Sequence, residues 1–261
     1  MKAQISVEER VQKLSRPGQP SLAYVYTESA GEGKKLPLVM FCGGYRSDMN
    51  GTKAVYLEEQ CRVRGQAFLR FDYSGHGQSE GVFSDGTMGS WLKDALDILN
   101  HVCPSGPVLL VGSSMGGWIA LLVALNWKGT LAGLVGIAAA PDFTEDVYAR
   151  LTPAQQRELD ETGIIRAAND YSDEPYEFTR TLYDEAKKHL LLDRERRIDC
   201  RMTLIQGMQD KDVPWETAVK IQKTFTGGDV DVVFIEDGGH RLSRPEDLEV
   251  IDREIRSLCK I

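Results

Sequence analysis

From Leu36 onward the chain alternates short apolar runs with stretches whose apolar residues recur three or four positions apart. The first pattern predicts strands and the second predicts helices. Strands are predicted over 22–26, 38–42, 67–71, 108–112, 131–138, 202–206 and 230–235. Several are near-continuous Val, Leu, Ile and Phe, as expected of parallel strands covered on both faces. Between them, Leu92, Ala95, Leu96, Leu99 and Val102 form one helical stripe, with Ser90 as its expected N-cap. Leu248, Ile251, Ile255 and Leu258 form another, entered through a capping box of Ser243 and Glu246. The alternation predicts an α/β domain: a mostly parallel central sheet with helices on both faces.

The alternation stops after Pro141 and resumes near Arg201. In between, Thr152-Pro153 starts one helix, and Glu174-Pro175 starts another running to about Leu192. A stretch of about sixty residues is too long for a plain loop. It predicts a small helical cap, residues 142–192, inserted within a single domain spanning 1–261. Such a cap would lie over the C-terminal edge of the sheet, where open α/β sheets bind ligands. The stretch carries Phe143, Tyr148, Leu151, Ile164, Ile165, Tyr171, Tyr176, Phe178 and Leu182. That is more apolar side chain than a solvated loop needs, and part of it is expected to roof an acyl pocket.

The strongest chemical signal is VLLVGSSMGGW, residues 108–118. Gly112-Ser113-Ser114-Met115-Gly116 fits G-x-S-x-G between an apolar strand and an apolar helix, the context of a nucleophile elbow. A serine hydroxyl needs a base and an orienting acid. Of the four histidines, His76 and His101 precede the serine, whereas the expected order is Ser, acid, His. His189 falls among lysines in the inserted stretch, where a solvated role is expected. His240 follows a strand in the turn Gly238-Gly239-His240 and is the expected base. MTLIQGMQDKDVPW offers Asp210 and Asp212, either of which fits by type. Asp210 stands nearer the strand end, and Asp212 precedes a helix opened by Pro214, where a carboxylate is favoured without catalytic duty. Oxyanion donors are expected from the backbone N–H groups of Met115 and Tyr45, with Gly44 as the fallback. The paired Gly43 and Gly44 permit a close approach of substrate oxygen. Cys42 closes a strand and has no histidine of its own. Asp72 and its neighbouring glycines are expected to shape a turn, His76 to sit on the loop surface, and Trp118 and Trp127 to be core.

Composition narrows the field. The 261 residues are 42% hydrophobic and 27% charged, an ordinary globular balance. The net charge of −8 argues against a nucleic-acid partner or an anionic membrane. Five cysteines with no zinc-type spacing predict buried reduced thiols. The charged start MKAQISVEERVQKL is unlike a signal peptide, and its two Glu suit a transit peptide poorly. The most apolar stretch, 108–127, is broken by glycines and serines, so no membrane span is expected. Together these predict a cytoplasmic protein. No Walker A, G-x-G-x-x-G or H-E-x-x-H motif occurs, so neither cofactor nor metal is indicated. No signal sets an oligomeric state.

GYRSDMNGTKA, LRFDYSGHGQSEG, LVGSSMGGW, IQGMQDKDVPW and GGHRLSRPEDL together resemble the α/β-hydrolase superfamily across nearly the whole chain. Within it the likeness is to the palmitoyl-protein thioesterases and acyl-glucuronide esterases of animal mitochondria and their bacterial relatives. The resemblance implies the α/β-hydrolase fold, with Ser114 as nucleophile, Asp210 as acid and His240 as base. Gly239 departs from the Asp often found before the catalytic histidine in such relatives. The expected activity is hydrolysis of a small-molecule carboxylic ester through an acyl-enzyme. The alternatives are an acyl thioesterase with the same triad and, from another class, a non-hydrolytic binding protein or lyase on the same scaffold.

Overall fold

The computed structural model describes residues 11–167 and 175–259. The chain opens with β1 (Gln12–Arg16) and β2 (Gln19–Thr27), then β3 (Leu38–Cys42), α1 (Thr52–Val63) and β4 (Phe68–Phe71). It continues through α2 (Met88–Val102), β5 (Val108–Ser113), α3 (Met115–Asn126) and β6 (Leu131–Ile137). Between β6 and the strands that follow come α4 (Phe143–Arg150), α5 (Pro153–Thr162), β7 (Ile164–Ala167), β8 (Tyr176–Thr179) and α6 (Arg180–Ala186). After α6 come β9 (Arg196–Arg197), β10 (Met202–Gly207), α7 (Glu216–Thr224), β11 (Phe225–Thr226), β12 (Val230–Ile235) and α8 (Pro245–Leu258).

Eight strands form the central sheet in the order β1-β2-β4-β3-β5-β6-β10-β12. Only the β1–β2 and β2–β4 pairings are antiparallel; from β4 to β12 every neighbour is parallel. Because side chains alternate across a strand, its two faces bury separate cores. Leu38, Met40 and Cys42 of β3 join Val108 and Leu110 of β5 against α2 and α3. Val39, Phe41, Leu109 and Val111 point the other way, against Ala54 and Leu57 of α1 and Ile251 and Ile255 of α8. This is the α/β-hydrolase fold. All six residues of β5 are buried, which is why it reads as an unbroken apolar run.

Several boundaries differ from the expectation. Thr87, not Ser90, caps α2; its hydroxyl accepts from Ser90 N at 3.1 Å, so Ser90 lies inside the first turn. At α8 the cap is Arg244, whose backbone N–H donates to Asp247 at 3.0 Å, with Pro245 opening the helix. The helix expected from Glu174-Pro175 to Leu192 starts only at Arg180. Before it, Tyr176–Thr179 pairs antiparallel with Ile164–Ala167, a hairpin the alternation of polar and apolar residues did not signal. Glu174 and Tyr171 lie outside the described residues. β1 also went unpredicted, because a two-sided polar edge strand shows no apolar run.

The two ends of residues 142–192 are tied together. Asp142 stands in the left-handed region at φ 60°, and its two carboxylate oxygens accept from Leu191 N and Leu192 N at 2.8 Å each. Trp118 of α3 adds a bond from its indole N–H to His189 O at 3.0 Å. The buried Trp118 and Trp127 are core, as expected.

Candidate active site

β5 ends in a turn so sharp that Ser114 takes φ 56° and ψ −123°, a combination costly for any residue with a side chain. Its backbone is pinned on both sides: Ser114 N donates to Ile137 O at 2.9 Å, and Ala140 N donates to Ser114 O at 3.1 Å. The flanking glycines are steric necessities. A Cβ at Gly112 would sit 2.2 Å from Gly116 O, and one at Gly116 would sit 2.1 Å from Cys42 O. The turn therefore exposes the serine hydroxyl above the strand ends while α3 begins at the next residue.

The structure brings three of the expected side chains into line. His240 Nε2 lies 3.0 Å from Ser114 Oγ, and His240 Nδ1 lies 2.8 Å from Asp210 Oδ2. Close backbone contact holds the two loops together. A Cβ on Gly207, at the end of β10, would meet Gly238 O at 2.3 Å, and Gln209 N donates to Gly238 O at 2.8 Å. The position of a Cβ on Gly239 is open space, so the glycine there leaves this geometry untouched. The Asp210 side chain is fully buried. Burial alone pushes its carboxyl up, but the hydrogen bond and charge of His240 and the Val213 and Asp212 N–H groups pull it below its ordinary value. Both of those N–H groups reach Asp210 Oδ1 at 2.9 Å.

Asp212 is exposed but close: its carboxylate, that of Asp210 and the His240 ring have ligand atoms within 4.8 Å of one another. This cluster could hold an ion by residue type, yet Nδ1 and Oδ2 are already bonded to each other. Gly44 approaches from β3; a Cβ there would stand 3.4 Å from Ser114 Cβ, so the loop passes directly over Ser114. Tyr45 and Met115 line the same cavity as Ser114. Cys42 is fully buried, and burial pushes its thiol up to about 12, which removes it as a nucleophile.

The cavity holds about 640 Å³, within the range of a small-molecule site. Phe143, Val147, Leu151, Ala167, Tyr176 and Phe178, from residues 142–192, line it. So do Ser47, Asp48, Thr52, Lys53, Arg241 and Ser243. Of the other apolar residues in that stretch, Ile165 and Leu182 pack into the core and Tyr148 is exposed. Three residues near the site escaped the sequence reading. Gln206, buried on β10, donates to Asp210 Oδ2 at 3.1 Å. Lys53 donates to Arg241 O and has its ammonium pushed down to about 8, chiefly by burial and then by the Arg241 charge. Glu177 meets the Gly44–Tyr45 loop. Gln206 and Lys53 fall within segments that carry the resemblance and Glu177 does not, but only the fold makes them neighbours of the site.

Two histidines depart from expectation. His76 is 3% exposed, not on the loop surface; its ring packs among Tyr73, Phe83 and Trp91. His189 is half-buried rather than solvated, with Nε2 2.7 Å from Glu185. Asp72 shapes its turn as expected, buried and accepting from Met49 N at 2.6 Å and Gln78 N at 2.8 Å. Among the described residues no helix is long and apolar enough to cross a membrane.

Comparison with known proteins gives the same picture. The signature of the "Alpha/beta hydrolase family" matches residues 54–251. Human "Palmitoyl-protein thioesterase ABHD10, mitochondrial" is 36% identical over 239 residues, 91% of this chain and 76% of that protein. The solved mouse protein, alpha/beta hydrolase domain-containing protein 10, is 35% identical with a TM-score of 0.86, covering 95% of this chain and 97% of its own. A solved protein from Agrobacterium vitis S4 is 37% identical with a TM-score of 0.90, covering 96% and 98%. The expectation of a cytoplasmic protein is overturned here: relatives matching nine-tenths of the chain are named mitochondrial. The charge pattern of the first residues did not carry that information.

Proposed function

The chain belongs to the α/β hydrolase family, and we propose that it hydrolyses acyl esters and thioesters with Ser114 as nucleophile, His240 as base and Asp210 as orienting acid. The single observation that carries the assignment is the continuous path from Asp210 Oδ2 through His240 to Ser114 Oγ, at 2.8 and 3.0 Å. Ser114 Oγ attacks the acyl carbonyl carbon as its proton passes to His240 Nε2. The buried Asp210 carboxylate fixes the His240 tautomer and stabilises the imidazolium. The oxyanion accepts hydrogen bonds from the N–H groups of Met115 and Tyr45. Collapse breaks the carbonyl carbon's bond to the leaving oxygen or sulfur, which takes the proton from His240. Water then attacks the acyl-enzyme by the same route and restores the Ser114 hydroxyl.

Residues 142–192 act in this reading as a cap whose apolar face receives the acyl chain. The thioester reading is favoured by the relatives named palmitoyl-protein thioesterase. The ester reading rests on the shared chemistry of the triad, which serves either bond. The test is labelling with a fluorophosphonate probe, followed by rates on nitrophenyl esters of rising chain length beside acyl-cysteine and acyl-CoA substrates. Labelling of the wild type but not of Ser114→Ala is expected. A folded wild type that resists the probe would refute the assignment.

A further inference from the structure

Glu177 grips the loop after β3 from two directions. Its backbone carbonyl accepts from the Tyr45 hydroxyl, and its carboxylate accepts from the Arg46 guanidinium at 2.9 Å. The ion pair is largely shielded, with both side chains about a quarter exposed, so it is worth more than a solvated one. Arg46 needs such a hold. It stands at φ 53°, a left-handed conformation that a non-glycine residue keeps only when its surroundings impose it. The aromatic neighbours complete the grip. The Tyr45 ring stacks on Phe178, the residue after Glu177, at 5.2 Å and 11°. The Phe83 ring meets Tyr45 edge-on and carries the Arg46 guanidinium 4.5 Å above its centre.

The strand that holds Glu177 is not part of the central sheet. β8 pairs with β7 in a sheet of two strands, within the inserted stretch. The loop over Ser114 is therefore set on one side by the end of β3 and on the other by the insertion. We propose that Glu177 is a positioning residue: it holds the Tyr45 N–H at the oxyanion site, so the hole is complete only when the insertion is docked. This rests on the reading of Ser114 as nucleophile and Tyr45 N–H as donor. It gives the insertion a second role besides lining the pocket. A loop donor moved by a fraction of an ångström loses transition-state binding while leaving ground-state binding in place.

Two variants loosen the grip independently. Glu177→Gln removes the charge, and Tyr45→Phe removes the hydroxyl while keeping the ring and the backbone N–H. Each is expected to lower kcat on p-nitrophenyl acetate by about tenfold with KM within twofold. Each is expected to weaken a short alkyl trifluoromethyl ketone, whose serine adduct carries the oxyanion, by the same factor. Arg166→Ala removes the other cation on Glu177, at 3.0 Å, without touching the loop, and should stay within twofold. Thermal melts identify any variant that fails to fold, and Tyr45→Phe then carries the test alone. The inference is overturned if folded variants keep kcat within twofold, if ketone affinity does not follow kcat, or if Arg166→Ala falls as far as Glu177→Gln. Fluorophosphonate labelling of the wild type is measured first: no labelling removes the nucleophile assignment and this inference with it, whereas a labelled wild type with unaffected variants removes this inference alone.

Discussion

Asp210 and His240 meet at 2.8 Å with the carboxylate fully buried, and every bond to that carboxylate favours its ionised form. Oδ1 is held by the N–H groups of Asp212 and Val213, and Oδ2 is shared between His240 and Gln206. The site therefore presents a fixed anion to the face of His240 turned away from Ser114. Asp212 offers its backbone N–H to this arrangement, while its own carboxylate stays exposed.

Asp210→Asn should lower kcat by up to about 10⁴ while leaving the melting temperature nearly unchanged, because it presents the wrong hydrogen-bond pattern to His240 without opening a cavity. Asp212→Asn should cost about tenfold or less, the scale of a nearby charge. The double variant shows whether Asp212 partly substitutes. Steady-state rates on one short ester decide the matter. Silence in Asp212→Asn with activity kept in Asp210→Asn would reverse the assignment.

Ser114 pays for its exposure with a backbone conformation that suits glycine. Ser114→Ala removes the nucleophile but keeps the strained φ of 56°. Ser114→Gly removes both. Both variants should be inactive, and the glycine variant should be the more stable by about 1 kcal/mol, the relief of strain less the added freedom of the unfolded glycine. Denaturant midpoints at equal m-values measure the difference. Equal stability of the two would mean that the strain in the elbow is no larger than the cost of the added freedom of the unfolded glycine.

The positions of Ser114 and Asp210 were legible because each follows a strand, β5 or β10, whose burial on both faces writes a largely apolar run, whereas β12 before His240 is half exposed and was legible from its Val, Phe and Ile residues. The order of Ser114, Asp210 and His240 along those strands then narrows the choice. Elements whose stability comes from elsewhere were not legible. The hairpin that includes Tyr176–Thr179 has no apolar run of its own, and Glu177 gains its meaning from Arg46, 131 positions earlier. The cap of α2 was misplaced by three residues, since Thr87 and Ser90 can both cap, and that of α8 by one, since the Asp247 carboxylate and Pro245 rather than a capping hydroxyl set its start. His76 was misread because a Gly-rich turn suggests a surface loop, whereas Phe83 and Trp91 fold over it.

His76 should give the fold an acid sensitivity. Burial pushes its pKa from 6.5 down to about 4, against the opposing hydrogen bond to Ser74 O and with a smaller push from the Arg46 charge. The folded state thus keeps the ring neutral where the unfolded chain would protonate it. That contribution is whole above pH 6.5 and is lost as the pH falls toward 4. It amounts to at most about 3 kcal/mol. His76→Phe should flatten the fall in stability between those two pH values relative to the wild type. Unfolding curves at a series of pH values test it, and parallel slopes for the two proteins would show that His76 contributes nothing to the acid limb.

Chain-length selection should reside where Val147 of α4 and Leu151, which follows that helix, line the cavity. A short acyl group needs only the space beside Ser114; a long one is expected to reach the apolar lining that includes Phe143 and Leu151. Leu151→Trp takes up part of that space while leaving Ser114, His240 and Tyr45 unchanged in sequence. Each methylene denied its apolar contact costs about 1 kcal/mol or more, so exclusion of a few should lower kcat/KM on a long-chain nitrophenyl ester by at least about tenfold. The rate on the acetate should stay within twofold. Leu151→Ala should act in the opposite sense, easing longer chains at some cost in stability. If Leu151→Trp lowers both esters equally and also lowers the melting temperature, Leu151 only glues the insertion to the core, and the acyl chain must leave Ser114 along the polar lining that includes Lys53 and Arg241.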